Sequence, residues 1–392
     1  MKPLRVLHCP WIVGGNPAGL AAAERELGLE STTMVFKRSP FGYPVDHVVW
    51  DDGDRVAVQE LKRWRLLPRV LRDFDVIHFN FGSTLAPQRS PADAPGAPTA
   101  ARIRERVYLR YEAVFEQLDL PLLRRAGKAI FVTFQGDDAR QGNVSAHFPV
   151  NGTDEAAPGH YTPESDANKR RRIQRFGRYA DGIYALNPDL LRVLPERARF
   201  VPYAHVDPRK WETGRPVGNN DRPLVLHAPT NRQIKGTRFV VDAVNRLKGE
   251  GIELDFQLVE GMTQIEAIAL YREADLVVDQ LLIGWYGGVA VEAMALGRPV
   301  VSYVREDDLG FVPQPMRAQI PIVSAEPTTI HDVLTDLLTT RREDLPELGR
   351  RSRAYVEQWH DPRHIAEQLV SDYQAAVDRL SAGTRPVRAA DA

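Results

Sequence analysis

Residues 275–302 read DLVVDQLLIGWYGGVAVEAMALGRPVVS. The run 276–278 is short and apolar, as a buried parallel strand is. A loop with Gly284, Gly287 and Gly288 follows. Val289, Ala293 and Leu296 then fall on one stripe of a helix, with Glu292 beside it. Gly297 ends that helix, Arg298-Pro299 turns the chain, and 300–303 reads as the next strand. The unit is strand, glycine loop, helix, strand. Glycines let a ligand approach the backbone, and the unpaired N–H groups of a helix start favour an anion. Glu292 lies about a turn into the helix, on a side that can face the same ligand. A phosphate at the helix start and a sugar hydroxyl at Glu292 describe a nucleotide. Glycine spacing alone also fits an ordinary αβ unit with a glycine-rich turn.

The motif GWYGGVAVEAMALGRPVV closely resembles the donor-site signature of the retaining glycosyltransferases of family 4, which have the GT-B fold. That family shows two glutamates with seven residues between them, then an Ala-Met-Ala-like stretch, Gly and Pro-Val. Glu292 matches the second glutamate, and the first falls on Gly284. The resemblance is therefore strong in the nucleotide half of the motif and broken in the half nearer the sugar.

The 392 residues suffice for two domains of ordinary size. Lys+Arg number 51 and Asp+Glu 52, so no overall field draws the chain to nucleic acid or an anionic membrane. The single cysteine, Cys9, excludes an internal disulfide framework and suits a reducing compartment. No apolar run has the length of a membrane span, and MKPLRVLHCP lacks a signal-peptide core. The expectation is a cytoplasmic enzyme, with peripheral membrane contact left open.

Taken in order, 4–9 reads as a first strand, 18–27 as a helix stopped by Gly28, and 31–36 as a second strand. Dinucleotide-binding dehydrogenases also open this way. However, GGNPAG does not fit GxGxxG, and Lys37 and Arg38 stand where a ribose-binding acid belongs. Residues 76–79 form another buried strand; there His78 reads as a strand residue with a satisfied ring, while Asn80 and Gly82 stand at the carboxyl end where α/β ligands bind. The proline-rich segment 83–100 reads as a surface excursion. A helix over 101–117 carries Ile103, Val107, Tyr111, Val114 and Phe115 on one face. Residues 129–134 are a strand, followed by Gln135-Gly136-Asp137-Asp138-Ala139-Arg140. Residues 142–165 read as a long loop. In the basic run 169–178, Ile173, Phe176 and Ala180 keep helical spacing, so its charges are expected on a solvated face. Strands follow at 182–186 and 199–202.

Residues 203–221 are irregular and polar, and the pattern then restarts. Strands at 224–228, 254–260 and 276–278 alternate with helices at 237–249 and 263–274. Two βαβ-rich halves imply two doubly wound Rossmann-like domains facing across a cleft, an α/β architecture of GT-B layout. The expected division is an acceptor-side domain over 1–203, a nucleotide-sugar domain over 204–358, a helix over 359–380 packing back on the first domain, and a tail over 381–392.

Between the first strand and helix of the second half lies HAPTNRQIKGT, 227–237. It looks like the family segment that carries an Arg and a Lys for the donor pyrophosphate. Lys235-Gly236 matches the lysine end, and Arg232 stands near the arginine without matching its position. The plain alternative for Lys235 is a solvent-exposed lysine at a helix start. Family 4 sequences also carry a His-Gly-x-Asp-x-x-Arg-like segment after an early strand. Here Gln135 replaces the histidine, while Asp138 and Arg140 fit loosely; a loop ion pair is the alternative for those two. Glutamine exchanges hydrogen bonds but has no useful pKa.

The resemblance implies a glycosyltransferase that moves a sugar from a nucleotide-diphosphate donor to a sugar-containing or small-molecule acceptor, with retention. It implies no cofactor and no metal; the sequence has no Asp-x-Asp of the metal-holding kind, since Asp137 and Asp138 are adjacent. Lys235, Arg232 and Asn231 would hold the diphosphate, Tyr286, Gly287 and Gly288 would wrap it, and Glu292 would bind ribose. Gly15, Asn16 and Arg140, with Gln135 and Asp138, would line the sugar and acceptor side. A GT-B nucleotide-sugar epimerase and a non-catalytic nucleotide-sugar-binding partner remain as alternatives.

Overall fold

The computed structural model describes residues 2–88, 99–150, 159–218 and 220–383. The first half holds β1 (Arg5–Cys9), β2 (Glu30–Val35), β3 (His47–Val48), β4 (Val76–Asn80), β5 (Ala129–Phe134), β6 (Gly182–Ala185) and β7 (Arg199–Phe200). The second holds β8 (Leu224–His227), β9 (Asp255–Leu258), β10 (Leu276–Val278), β11 (Val300–Ser302) and β12 (Val323–Ser324). They form a seven-stranded sheet of order β3-β2-β1-β4-β5-β6-β7 and a five-stranded sheet of order β12-β11-β10-β8-β9. The pairings are parallel, with Val6 opposite Val76 and Val277 opposite Leu226. Helices cover both faces, so central strands are buried throughout, as VIHFN in β4 and AIFVTF in β5 are. This is the α/β, doubly wound arrangement expected.

Several elements depart from expectation. The 18-residue helix Val56–Asp73 contains Pro68 and was not foreseen, because an interior proline ordinarily breaks a helix. In the helix Thr99–Phe115, Val107 and Val114 lie in solvent. The inward side runs through the half-buried Tyr108, Tyr111 and Phe115, where both phenols donate to Glu60 and Tyr111 accepts from Trp64. The basic run, within the helix Pro163–Tyr179, is not simply a solvated face: Lys169 and Arg172 are buried. Lys169 donates to the Arg140 carbonyl at 2.7 Å and its ammonium sits 4.0 Å over the Tyr161 ring. The segment expected as a long loop contains the helix Gly142–Ser145. Residues 89–98 of the proline-rich excursion, 151–158 of that loop and 384–392 of the tail lie outside the described residues.

The helix Pro362–Ser381 returns to the first half and packs Ile365, Leu369 and Tyr373 with Val6, Leu20 and Phe131. His78 is a satisfied strand residue: its ring bonds Tyr373 Oη at 2.5 Å and Thr133 Oγ1 at 2.7 Å. Burial, then the nearby His8, holds its pKa well below the ordinary histidine value. Among the described residues no helix is long and apolar enough to cross a membrane.

Candidate functional site

In open parallel sheets ligands bind beyond the carboxyl ends of the strands, where the strand order reverses. The order reverses between β1 and β4 in the first sheet and between β8 and β10 in the second. The loops leaving these strands, and the loop after β5, line one cavity of about 360 Å³. Its walls include Gly14, Phe81, Gln135 and Arg140 from the first half and Asn231, Lys235, Gly287, Gly288 and Glu292 from the second.

The second wall is built to hold a cation at a helix start. Asn231 caps the short helix Arg232–Lys235 by accepting from Gln233 N at 3.0 Å and Ile234 N at 3.2 Å. Gly236 then adopts φ 77°, which turns the chain into the helix Thr237–Gly249. The Lys235 ammonium donates to Gln280 Oε1 at 2.5 Å and Asp279 Oδ1 at 3.2 Å. Asp279 Oδ2 accepts from the Gly287 amide at 2.5 Å. A Cβ on Gly287 would stand 3.0 Å from Lys235 Nζ, so the glycine lets backbone and ammonium come together. The helix Gly288–Ala295 begins there, and its first intrahelical bond is Val291 N to Gly287 O at 3.3 Å. The amides of Gly288, Val289 and Ala290 thus lack intrahelical acceptors.

Glu292 stands one turn further along. It accepts from Gln264 Nε2 at 2.5 Å, and His205 Nε2 lies 3.6 Å away. The His205 side chain is buried, and among the described residues neither ring nitrogen has a hydrogen-bond partner. Tyr43 crosses from the first half; burial, then the Glu292 charge, pushes its phenol up. A niche of about 80 Å³ shares Phe41, Tyr43, Thr230, Val289 and Glu292 with the main cavity and is closed by Val259–Met262.

The first wall is polar and cross-linked. Arg140 is held by Asp189, with Nε–Oδ2 at 2.6 Å. Asp137, beside it, accepts from Tyr161 Oη and lies 3.2 Å from His160 Nε2. Burial alone would raise the Asp137 carboxyl, but His160, Arg140 and Tyr161 hold it well below the usual range. Burial pushes Lys169, behind this group, down to about 8. Gln135 lines the cavity with Nε2 free of any partner among the described residues.

Of the residues anticipated from sequence, Gln135, Arg140, Asn231, Lys235, Gly287, Gly288 and Glu292 meet in this cavity. The others do not. Tyr286 is fully buried, stacked on Trp285 and hydrogen-bonded to Tyr355 and His360 at 3.0 Å each, so its ring wraps no ligand. Arg232 points to solvent and pairs with Glu260. Asp138 turns inward, bonding Gln135 N at 3.0 Å and Gly136 N at 2.7 Å, and burial pushes its carboxyl up to about 6. Asn16 is buried and accepts from Ala204 N at 2.7 Å, pinning the connection between the halves. Gly15 lines a separate cavity with Tyr43 and His205. Sequence reasoning missed Asp279, Gln280, Tyr43 and His205. Asp279-Gln280 directly after β10 carried a usable signal: two polar residues at a strand's carboxyl end. Among the described residues no group of three or more His, Cys, Asp or Glu is placed to hold a metal ion.

No protein-family model and no curated protein sequence matches the chain. Solved structures do. Sucrose-phosphate synthase from Thermosynechococcus elongatus aligns at TM-score 0.58 and 15% identity over 95% of this chain and 99% of that one. The catalytic domain of starch synthase IV from Arabidopsis thaliana, bound to ADP and acarbose, aligns at 0.54 and 12% identity over 96% and 100%. A glycosyltransferase from Rickettsia africae aligns at 0.51 and 11% identity over 96% and 99%. The chain has the GT-B glycosyltransferase fold along nearly its whole length.

Proposed function

We propose that the protein is a retaining glycosyltransferase that takes a sugar from a nucleoside-diphosphate donor without a metal ion. The observation that carries this reading is the single cavity joining the Lys235 ammonium, the start of the helix Gly288–Ala295 and the Glu292 carboxylate. In this reading the diphosphate lies against Lys235 and the free amides of Gly288 and Val289. Glu292 accepts the ribose hydroxyls, and the base enters the niche closed by Val259–Met262. Asn231 shapes the loop that presents Lys235. The sugar then faces Gln135 and Arg140, with Asp137 replacing Asp138 as the carboxylate nearest the acceptor. The division between an acceptor-side and a donor-side domain is taken at 203/204.

When the bond from the anomeric carbon to the β-phosphate oxygen breaks, the electron pair stays on that oxygen. The acceptor oxygen bonds the same carbon, and its proton passes to the departing phosphate. Cations and amides aimed at the phosphate stabilise this charge more in the transition state than before it. Arg140, locked to Asp189, is a fixed donor for sugar hydroxyls.

The experiment is a thermal-shift panel of ADP, UDP, GDP and TDP, followed by turnover of the matching nucleotide-hexoses and determination of the product anomer. A ligand that binds the folded chain raises its melting temperature. One nucleotide should do so, and its sugar should be transferred with retention. No shift with any of the four would overturn the reading; an inverted product would overturn its stereochemistry.

A further inference from the structure

We propose that Asp279 and Gln280 are positioning residues for transfer: they fix the Lys235 ammonium and the Gly287 turn against the departing phosphate. The proposal rests on the donor-site reading above. A lysine side chain has a long flexible stem and is ordinarily a poor fixed point. Here two of its three N–H donors are taken, by Gln280 Oε1 at 2.5 Å and Asp279 Oδ1 at 3.2 Å. Both acceptors follow β10, so the ammonium is tied to the rigid end of a buried strand. The Asp279 side chain is 1% exposed and Lys235 14%; Lys235 and Gln280 line the cavity and Asp279 does not. The carboxylate therefore stands behind the ammonium.

The same two residues hold the glycine turn. Asp279 Oδ2 takes the Gly287 amide, and Gln280 Nε2 donates to the Trp285 carbonyl. One carboxylate and one amide thus set the lysine and the start of the helix Gly288–Ala295 in a common frame. A donor displaced by a fraction of an ångström from its developing charge loses much of its effect, so the frame acts on turnover more than on binding.

The test is a cycle on the full chain, using whichever nucleotide-hexose of the panel turns over fastest. Lys235→Ala should lower kcat about a hundredfold. Asp279→Ala should lower kcat about tenfold with KM changed by less than about threefold, and Asp279→Asn, which keeps one acceptor, should recover part of the loss. The double variant Lys235→Ala/Asp279→Ala should be slower than Lys235→Ala by clearly less than the factor that Asp279→Ala costs alone, because the part of that loss acting through the lysine is already gone and only the part acting through the Gly287 turn remains. Gln280→Met, of similar size, should repeat the pattern and serves if Asp279→Ala does not fold. Losses that multiply in the double variants would overturn the proposal and leave Asp279 a structural counter-charge. Full kcat in Lys235→Ala, or no turnover of any donor, would instead bring down the donor-site reading and this proposal with it.

Discussion

Replacing Gly284 with alanine should destabilise the second half of the chain far more than one methyl group implies. A Cβ on Gly284 would lie 2.6 Å from the Arg305 Cβ and 2.7 Å from its guanidinium carbon. The guanidinium can swing, but the Cβ moves only with the backbone, and Arg305 N is tied to Gly284 O at 3.0 Å. Arg305 is confined on its other sides. Its guanidinium sits 3.5 Å over the Phe148 ring and donates to Asp308 Oδ2 at 2.7 Å. Asp308 is fully buried and also accepts from Arg192 of the first half at 2.6 Å. Overpacking of this kind costs about 1–3 kcal/mol. Partial loss of the buried ion pair adds to it, giving roughly 2–4 kcal/mol and a fall in Tm on the order of 5–15 °C. Calorimetry of Gly284→Ala beside Gly310→Ala gives the comparison, since nothing lies within 4 Å of a Cβ at Gly310. If both variants melt within about 1 °C of the natural protein, the crowding argument is wrong. If Gly284→Ala alone melts low, Arg305 occupies the space that a side chain at position 284 would need.

Transfer measured with and without excess chelator should be nearly equal, because the proposed leaving-group charge falls to Lys235 and backbone amides; a large loss restored by magnesium or manganese would refute metal independence. Wild type should bind a ribonucleoside diphosphate at least about tenfold more tightly than its 2′,3′-dideoxy form, since two bonds to a carboxylate are lost. Glu292→Ala should erase most of that preference, and undiminished discrimination would remove Glu292 from ribose. His360, fully buried between Tyr286 and the Tyr203 carbonyl, is held down to about 3 by burial. Its folded value is below its unfolded one, so between about pH 6.5 and 3 the unfolded chain binds the extra proton and stability falls as pH falls. The slope from this group is about 1.4 kcal/mol per pH unit. Urea titrations of His360→Gln at pH 6.5 and 5 should show a shallower loss than wild type; an equal loss would contradict the burial argument.

Strands were the most legible elements, because a strand buried on both faces writes itself as a nearly continuous apolar run, as at 76–79 and 129–134, where only His78 and Thr133 are polar. The cavity-lining glycines Gly287 and Gly288 and Lys235 were legible through local chemistry. Side-chain direction was not. Asp137 and Asp138 are adjacent and chemically identical, yet one lines the cavity and the other caps amides below it. Arg232 and Lys235 share a single helical turn, and only tertiary partners, Glu260 for one and Asp279 for the other, decide which faces the site. Tyr286 sits in a glycine-rich loop that reads as exposed, but its hydroxyl finds Tyr355 and His360 from distant parts of the chain. His205 lies in a segment without periodicity, and no local pattern could have aimed it at Glu292.

The returning helix has a consequence for how the protein is made. Tyr373 completes the hydrogen bonding of His78 and of Glu24, 295 and 349 residues earlier in the chain. A ribosome therefore releases the whole first sheet with buried polar groups still unmatched and with the seat of that helix still bare. Although its strands emerge first, the first half is finished last, after the second half has been synthesised and is free to fold. During that interval the exposed seat, formed by Val6, Leu20 and Phe131, is apolar surface of the sort that chaperones hold. A nascent chain stalled before residue 373 carries all strands of the second half beside a first half still waiting for its final segment.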